Sequence, residues 1–405
     1  MKKLLKNLSF VKWSSVIYAA IIIALAFMFF TNDFGLVDIR KTSVIIGMGI
    51  DVEEEQVRIT AQVAVPQPSE NGENTQFTEV TGQGQSVAAA LKEINSKTGF
   101  YPKLIFCKLI ILGESCAESD VFEELDYFYR NEYTQLTPKV AMCKGSAESI
   151  LGTKMPFGGT ATLTIEQVLS DEAKKSGNVA TVTLKDIGHS RYAPGGACYM
   201  PYLEVENAEE EVSGGEEGQS SASSSGGSKA SGGGGESSPE FTGSRTALFN
   251  YGKFCGVLDN DKAFALNLLN NQIRHTFVVC EAEGKKYTMG LRSCSGGADL
   301  SFKGGKPVVS VGFKATCQIQ DAEGDSSPEE IAKNFKVPQE VIDGLNLKLK
   351  QKFSALVSEL IERDCDALGL KEQLYRKNYS YYDKYKDDLL SAATYEYKVN
   401  ARSSG

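Results

Sequence analysis

The sequence predicts an α+β protein, in which a membrane-anchoring N-terminal helix is followed by mixed sheet-and-helix domains and a disordered linker. Three observations predict this class. Short β-branched runs alternate with helical stripes along most of the chain, a charge-free apolar segment lies near the N-terminus, and a Gly/Ser-rich acidic block interrupts the middle. A chain of 405 residues is also long enough for two or three domains.

Residues 13–31 are predicted to be a transmembrane anchor. The segment 13–30 reads WSSVIYAAIIIALAFMFF and has no charged residue. As a helix, these residues would span roughly 27 Å, close to the hydrocarbon core of a bilayer. Lysines concentrate in residues 1–12, whereas Asp33 and Asp38 follow the segment. The positive-inside rule therefore predicts that residues 1–12 are a cytoplasmic basic tail and that the bulk of the chain is extracytoplasmic.

Two other kinds of N-terminal segment compete with the anchor. A cleaved signal peptide stays open, since Ala24, Leu25 and Ala26 resemble a cleavage site, although four more apolar residues follow it. A lipoprotein signal requires a cysteine at the end of the apolar run, and the first cysteine in the chain is Cys107. An uncleaved helix is therefore the preferred interpretation.

An N-terminal α+β domain is predicted over residues 36–205. Residues 41–50 form an apolar β-branched run and residues 56–65 alternate apolar with polar side chains, which predicts a hairpin around the charged turn 51–55. The remaining runs and stripes predict a helix at 86–95 capped by Ser86, a strand at 104–112, a helix at 121–129, a strand at 137–143, and helices at 146–151 and 165–174.

Residues 206–240 are predicted to be a disordered acidic Gly/Ser linker, because almost none of their side chains can be buried. As a flexible coil of roughly 35 residues, the linker would hold its ends about 30–35 Å apart on average. Its glycine run is not expected to bind phosphate, since a phosphate loop joins a strand to a helix.

A C-terminal α+β domain with a long amphipathic helix is predicted over residues 241–405. The helix covers about 338–368, its apolar stripe is expected to face the core, and Gly369 is expected to end it. A groove for a partner helix is the alternative role of the stripe. The other predicted elements are a hairpin of 246–249 with 254–258, a helix at 259–270, and strands at 274–281, 285–292, 307–320 and 395–401.

Composition narrows the possible functions. The formal net charge of -9 and sequence pI of about 5.1 disfavour nucleic-acid binding, because an acidic surface repels phosphate. The only histidines are His189 and His275, which excludes a histidine-rich metal site. None of the nine cysteines forms a CxxC pair, so they are expected to be small buried apolar residues, with one or two disulfides possible outside the cytoplasm.

Three clusters are candidates for chemistry or binding. Asp186, His189 and Ser190 lie within five residues, but a catalytic triad requires convergence in space, so a polar loop is the preferred interpretation. The acidic run 51–55 lacks the alternating ligands of a calcium loop and is expected to be a solvated hairpin tip. The third cluster suits either a partner surface or the end of a domain core. It consists of Tyr375, Tyr379, Tyr381, Tyr382 and Tyr385.

Several segments resemble the Ger(x)C family, the C subunits of nutrient germinant receptors in endospore-forming bacteria. Residues 41–51 (KTSVIIGMGID) resemble the family's opening strand and residues 60–66 its second strand. Residues 82–86 fit the pattern before its helix, and residues 246–258 resemble a hairpin of its second half. The tyrosine-rich stretch 375–388 and a terminal strand also match. The resemblance covers nearly all of the chain after Gly35 except the linker, and it depends on order and spacing.

The resemblance implies a non-catalytic, membrane-anchored, three-domain α+β subunit on the outer side of the spore's inner membrane. Such subunits act with an A-type and a B-type membrane subunit to detect nutrients and start germination. The family offers no catalytic motif, so no catalytic, cofactor-binding or metal residue is carried over and no cofactor is expected. Family members typically carry a diacylated cysteine, which the apolar helix replaces here.

Two functions from other classes stay open. The chain could be an extracytoplasmic small-molecule (nutrient) binding module acting on its own, which would require a deep pocket with convergent polar groups. A surface enzyme would require a catalytic constellation, and the sequence shows none.

Overall fold

The computed structural model describes residues 2–31, 42–67, 74–153, 159–170, 179–206, 240–282, 284–323 and 337–403. Helix α1 spans Lys2–Thr31, and two β-sheets with their covering helices account for the described regions that follow. The predicted α+β class is confirmed.

The first sheet has nine strands in the described residues, in the order β3-β2-β1-β5-β6-β7-β8-β9, with β4 also paired to β1. Strands β1, β4, β5, β6 and β7 run parallel, and the hairpins at both sides are antiparallel. The strands are β1 Thr42–Glu53, β2 Gln56–Gln67, β3 Asn74–Gly84, β4 Tyr101–Lys103, β5 Leu109–Leu112, β6 Lys139–Cys143, β7 Ala197–Glu206, β8 Glu240–Asn250 and β9 Lys253–Leu258. All of β5 is buried, as expected for a parallel strand covered on both faces.

Helices cover both faces of this sheet. They are α2 Val87–Thr98, α3 Val121–Glu124, α4 Asp126–Arg130, α5 Ala147–Leu151, α6 Ala161–Val168 and α7 Leu184–Tyr192, together with a 3₁₀ turn at Glu114–Glu118. The larger core contains residues of α2, α3 and α7, and the smaller core on the other face contains residues of α5 and α6. The predicted cap is confirmed, because the Ser86 hydroxyl accepts a hydrogen bond from the backbone N–H of Ala89 at 3.3 Å.

The second sheet has the order β10-β11-β12-β13, with β13 parallel to β12 and the other pairs antiparallel. Its strands are β10 His275–Ala282, β11 Lys285–Lys303, β12 Lys306–Ala322 and β13 Thr394–Ser403. The helices are α8 Asn260–Leu269, α9 Gln339–Glu362, α10 Leu370–Lys377, α11 Tyr382–Tyr385 and α12 Leu389–Ala392, with a 3₁₀ turn at Tyr379–Tyr381. The apolar stripe of α9 lies in the core, as predicted, and includes the fully buried Phe353.

Several predicted boundaries were wrong. Helix α9 ends at Glu362 rather than 368, and Gly369, with φ of 69°, precedes α10 instead of ending α9. Of the predicted strand 104–112, only Leu109–Leu112 forms a strand, β5, and a turn occupies the residues between it and β4. Strands β3 and β7 and the second half of β11 were not predicted. The Gly, Thr and Gln residues of β3 and the glycines of β11 weaken the pattern of alternation.

The predicted linker joins two neighbouring strands. Glu206 at the end of β7 pairs with Glu240 at the start of β8, so the two ends lie side by side and not 30–35 Å apart. The rest of the predicted linker, residues 207–239, lies outside the described residues. Strands β8 and β9 fall within the predicted C-terminal domain but complete the first sheet. The division into domains stays a prediction, and the sheets do not follow it.

Helix α1 includes the whole predicted anchor and extends it to Lys2. Apolar side chains are exposed around the helix, among them Val16, Ile17, Ile22 and Leu25. Among the residues that the structure describes, no helix combines the length and apolar content required to span a membrane. The transmembrane anchor therefore stays a prediction.

Candidate functional site at the junction of the two sheets

The short connection between α9 and α10, residues 363–369, lies in the second half of the chain and contacts the first sheet; we call it the junction segment. The Arg363 guanidinium donates to the backbone carbonyl of Cys255 in β9 at 2.5 Å. The Asn250 side chain at the end of β8 donates to the carbonyl of Asp364 at 2.8 Å. These contacts connect residues more than 100 positions apart and fasten the junction segment to the edge of the first sheet.

A second set of contacts continues the junction to β7. The Asn270 side-chain amide, which follows α8, donates to the Tyr199 hydroxyl and to the carbonyl of Ala367, both at 3.1 Å. Tyr199 lies on β7 of the first sheet and packs against the second core as well. The junction therefore consists mainly of side-chain to backbone hydrogen bonds, with one between the side chains of Asn270 and Tyr199, around a shared apolar boundary.

Asp366 is the buried charge of the junction segment. Its two carboxylate oxygens accept hydrogen bonds from the backbone N–H groups of Leu370 and Lys371 at 2.8 and 2.7 Å. These are the first N–H groups of α10, which have no partner within the helix and favour a negative charge. Asp366 thereby caps α10, because the N-cap position itself is Gly369 and has no side chain.

Burial raises the pKa of Asp366 to about 6, and the N–H groups of Lys371 and Leu370 and the Lys371 ammonium oppose that rise. The side chain is only 4% exposed. Gly195 lies beside it, and a Cβ at that position would be 2.8 Å from the Asp366 carboxylate. The close approach of the chain before β7 therefore requires glycine.

A cavity of about 250 Å³ with both polar and apolar lining residues lies next to Asp366 between α7, β7 and α10. Asp186, His189, Gln272 and Glu372 contribute to its lining. Ligand pockets are typically about 300–1,000 Å³. Because the cavity is small and Asp366 already accepts two hydrogen bonds, this space does not favour the alternative of an independent nutrient-binding module.

Asp186, His189 and Ser190 lie on helix α7, so their assignment to a loop was wrong. The Asp186 carboxylate accepts hydrogen bonds from the N–H and hydroxyl of Thr183, at 2.9 and 2.7 Å, in a capping box. The Ser190 hydroxyl donates to the backbone carbonyl of Asp186 at 3.2 Å. His189 is 3.9 Å from Glu372, and its side chain is 64% exposed. None of these contacts forms an Asp–His–Ser relay.

The acidic run at the first hairpin is not uniformly solvated, contrary to the prediction. Asp51 is buried, and its carboxylate accepts hydrogen bonds from the N–H groups of Ala147 and Glu148 at 2.8 and 3.1 Å, at the start of α5. Burial raises the pKa of Asp51, and these two N–H groups oppose it. The turn itself is formed by Glu54 and Glu55, which have positive φ. Asp51 therefore serves as a helix cap.

Among the described residues, no group of three or more His, Cys, Asp or Glu side chains is placed to hold a metal ion.

The tyrosine cluster divides into two groups. Tyr381 stacks on Phe302 with ring centroids 4.0 Å apart, and the buried Tyr385 donates to the carbonyl of Gly305 at 2.8 Å, so both pack the second core. Tyr379 stacks on Tyr382 at 5.8 Å, and Tyr375 meets both rings edge-on. Tyr375 and Tyr379 are exposed and stay available as a surface.

The nine cysteines are free thiols, and all except Cys255 are buried, which agrees with their predicted role as small apolar residues. Cys255 differs because a hydrogen bond with the Cys365 thiol lowers its pKa to about 7, with burial opposing and Arg363 assisting. Cys255 lies at a β-bulge of β9, because Phe254 pairs with Phe249 and Gly256 with Leu248, which leaves Cys255 without a paired residue on β8. Sequence reasoning missed this thiol, because nothing local indicates that residues 255 and 365 meet.

Comparison with known proteins identifies the family. The model of the spore germination protein N-terminal domain matches residues 36–205, and the model of the spore germination B3/GerAC-like C-terminal domain matches residues 244–404. The two matches lie in order and cover most of the chain. The chain belongs to the Ger(x)C family. Neither matching domain is described as an enzyme, and the family consists of germinant receptor C subunits.

The Ger(x)C assignment agrees with a solved structure. The crystal structure of the GerBC protein matches with a TM-score of 0.52 and 15% sequence identity, covering 89% of this chain and 97% of that chain. At this identity the match establishes the fold. The comparison with curated proteins gave no significant match.

Proposed function

We propose that this Ger(x)C chain is the non-catalytic, membrane-anchored C subunit of a spore nutrient germinant receptor and acts with the A-type and B-type membrane subunits. The observation that carries the proposal is the match of both family domains, in order, along one chain. The subunit is required for the response to nutrients because it completes the receptor assembly.

The exposed apolar surface of α1 supports membrane attachment. Ile21, Ile22 and Ile23 are consecutive in the helix and therefore point to different sides, yet each is about half exposed or more. A helix that is apolar on all sides is stable only when other apolar groups surround it, as in a bilayer. With the basic tail in the cytoplasm, the two sheets lie on the outer side of the spore's inner membrane.

The junction segment supports a structural role for the remainder of the chain. The buried Asp366 carboxylate accepts hydrogen bonds from backbone N–H groups of α10, and the half-buried Asn270 side chain donates to the carbonyl of Ala367 in the segment. Such contacts hold the two sheets in a fixed arrangement. A rigid body of this kind suits a subunit that transmits or stabilises a receptor conformation.

A deletion strain tests the proposal. Spores without this chain are expected to lose the germination response to the receptor's nutrients while they still respond to a trigger that bypasses nutrient receptors. Expression of the full chain should restore the response, and a chain without residues 2–31 should not. A chain with an unrelated transmembrane helix in their place should restore it, because the helix only anchors. An unchanged response of the deletion strain to every nutrient tested would refute the proposal.

The non-catalytic role has its own test in His189→Ala. The imidazole is mostly exposed and has no partner closer than Glu372 at 3.9 Å among the described ion pairs, so its loss should leave germination unchanged. A strain in which His189→Ala assembles normally but fails to germinate would instead indicate chemistry at the cavity.

A further inference from the structure

A cluster of exposed apolar side chains lies at one edge of the first sheet, which we call the amino edge. Strands β1, β4, β5 and β6 are parallel, so the segments that enter them lie at the same side of the sheet. The six side chains that we call the amino-edge patch are Phe100, Tyr101, Ile105, Phe106, Tyr133 and Leu136, and all of them are exposed. Phe100 and Tyr101 enter β4, Ile105 and Phe106 precede β5, and Tyr133 and Leu136 precede β6.

Backbone contacts hold these segments together. Tyr101 pairs with Thr42, and the N–H of Lys108 bonds to the carbonyl of Ile46 at 2.8 Å. The N–H of Lys139 in turn bonds to the carbonyl of Lys108 at 2.8 Å. Tyr133 is close to Tyr101 as well, since its pKa is raised mainly by Glu132 and to a smaller extent by Tyr101. The six side chains therefore form one surface instead of isolated exposures.

Such a surface is costly in water. Exposed single apolar residues are common, but clusters of large ones generally mark a surface that another apolar phase covers. By contrast, two aromatic side chains from the neighbouring helices α3 and α4, Phe122 and Phe128, are almost fully buried. The exposure of the patch is therefore a property of this edge and not of a poorly packed region.

The path of the chain indicates what covers the patch. Strand β1 begins at Thr42, beside Tyr101, and α1 ends at Thr31. The ten residues between them, 32–41, can reach at most about 35 Å even when fully extended. The amino edge is thus the edge that the chain enters directly from α1. Strand β7 runs parallel to β6 and ends at the opposite edge, so the acidic insertion 207–239 is attached away from the patch.

We propose that the amino-edge patch inserts into the interface of the same bilayer that holds α1, so that the first sheet rests on the membrane through this edge. The inference rests on the proposed membrane attachment. Aromatic rings together with Ile and Leu suit the boundary between headgroups and acyl chains. Charges near the patch are mixed, with Lys108 paired to Glu166 at 3.3 Å, so contact through apolar insertion should depend little on salt.

The chain offers a built-in optical test, because Trp13 in α1 is its single tryptophan. Full-length protein is reconstituted in vesicles whose lipids carry bromine on the acyl chains, which quenches nearby tryptophan fluorescence. Wild type reports on α1 alone. In a Trp13→Phe background, Phe106→Trp reports on the patch. Phe277→Trp on β10 of the second sheet is the matched control, since Phe106 and Phe277 are 60% and 61% exposed and neither belongs to a core.

The expected result is that Trp13 and the Phe106→Trp reporter lose most of their fluorescence in brominated vesicles at low and high salt, while the Phe277→Trp reporter keeps its fluorescence. Quenching of Trp13 without quenching at position 106 would overturn the patch proposal and leave membrane attachment intact. Equal quenching at 106 and 277 would also overturn it. If Trp13 is unquenched and the protein does not associate with vesicles, membrane attachment itself fails. A concentration-dependent blue shift of the 106 reporter without quenching would identify a second copy of the chain as the occupant, which contradicts the proposal.

Discussion

Replacing Asp366 by Asn should remove a large pH dependence of stability. The pKa of Asp366 rises from its ordinary value of 3.8 to about 6 in the folded protein, so the folded state holds this proton more tightly than the unfolded chain does. The corresponding stability is fully present below about pH 4 and is lost as the pH rises through about 6. A shift of about two pKa units corresponds to about 3 kcal/mol in total.

An asparagine side chain does not titrate, so the Asp366→Asn variant should lack this component. Between pH 4 and pH 7, the free energy of unfolding of the wild type is expected to fall by about 2 kcal/mol relative to that of Asp366→Asn. Other titrating groups are common to both proteins and cancel in the difference. Urea denaturation of the full-length proteins in detergent, followed by far-ultraviolet circular dichroism at several pH values, measures it.

Asp383→Asn is the control, because it removes one carboxylate from a side chain that is 92% exposed. Its stability should follow that of the wild type at every pH. Parallel pH profiles for the wild type and Asp366→Asn would refute the argument that Asp366 is buried and resists ionisation.

Three further predictions concern packing and thiol chemistry. Gly296→Ala should lower the free energy of unfolding by about 1–3 kcal/mol, because its Cβ would lie 2.4 Å from a backbone carbonyl of α8. Gly297→Ala is the control, since its Cβ would meet nothing within 4 Å, and equal urea midpoints for the two variants would contradict the prediction. Phe353→Ala should cost about 3–5 kcal/mol in the same assay, because the ring is fully buried, and a negligible loss would remove the α9 stripe from the core. Cys255 should be the first thiol alkylated at neutral pH, because its pKa is about 7 while burial raises the pKa values of other thiols. Peptide mass spectrometry measures the order of labelling, and equal labelling of all the thiols would contradict the prediction.

The sequence correctly predicted the elements that are determined by residues close together in the chain. The first hairpin, the Ser86 cap and the buried stripe of α9 follow from alternation, capping chemistry and helical spacing, and the structure confirms each. Strand β3 and the Gly-rich half of β11 were missed because pairing with a neighbouring strand, rather than their own sequence, stabilises them.

Contacts between distant residues explain the remaining errors. Asp51 was expected to be a solvated acid, but its partners, the N–H groups of α5, lie almost 100 residues away. The linker was treated as a spacer because its composition says nothing about the pairing of Glu206 with Glu240. The junction around Asp366 likewise brings together segments whose proximity no local signal reveals.

The central claim is that this Ger(x)C chain is a subunit of a receptor assembly, and copurification tests it most directly. The full-length protein is recovered from detergent-solubilised spore membranes, and mass spectrometry identifies what accompanies it. We predict that the A-type and B-type receptor subunits copurify with it. Recovery of the intact protein alone, under conditions that keep a control receptor together, would contradict the account.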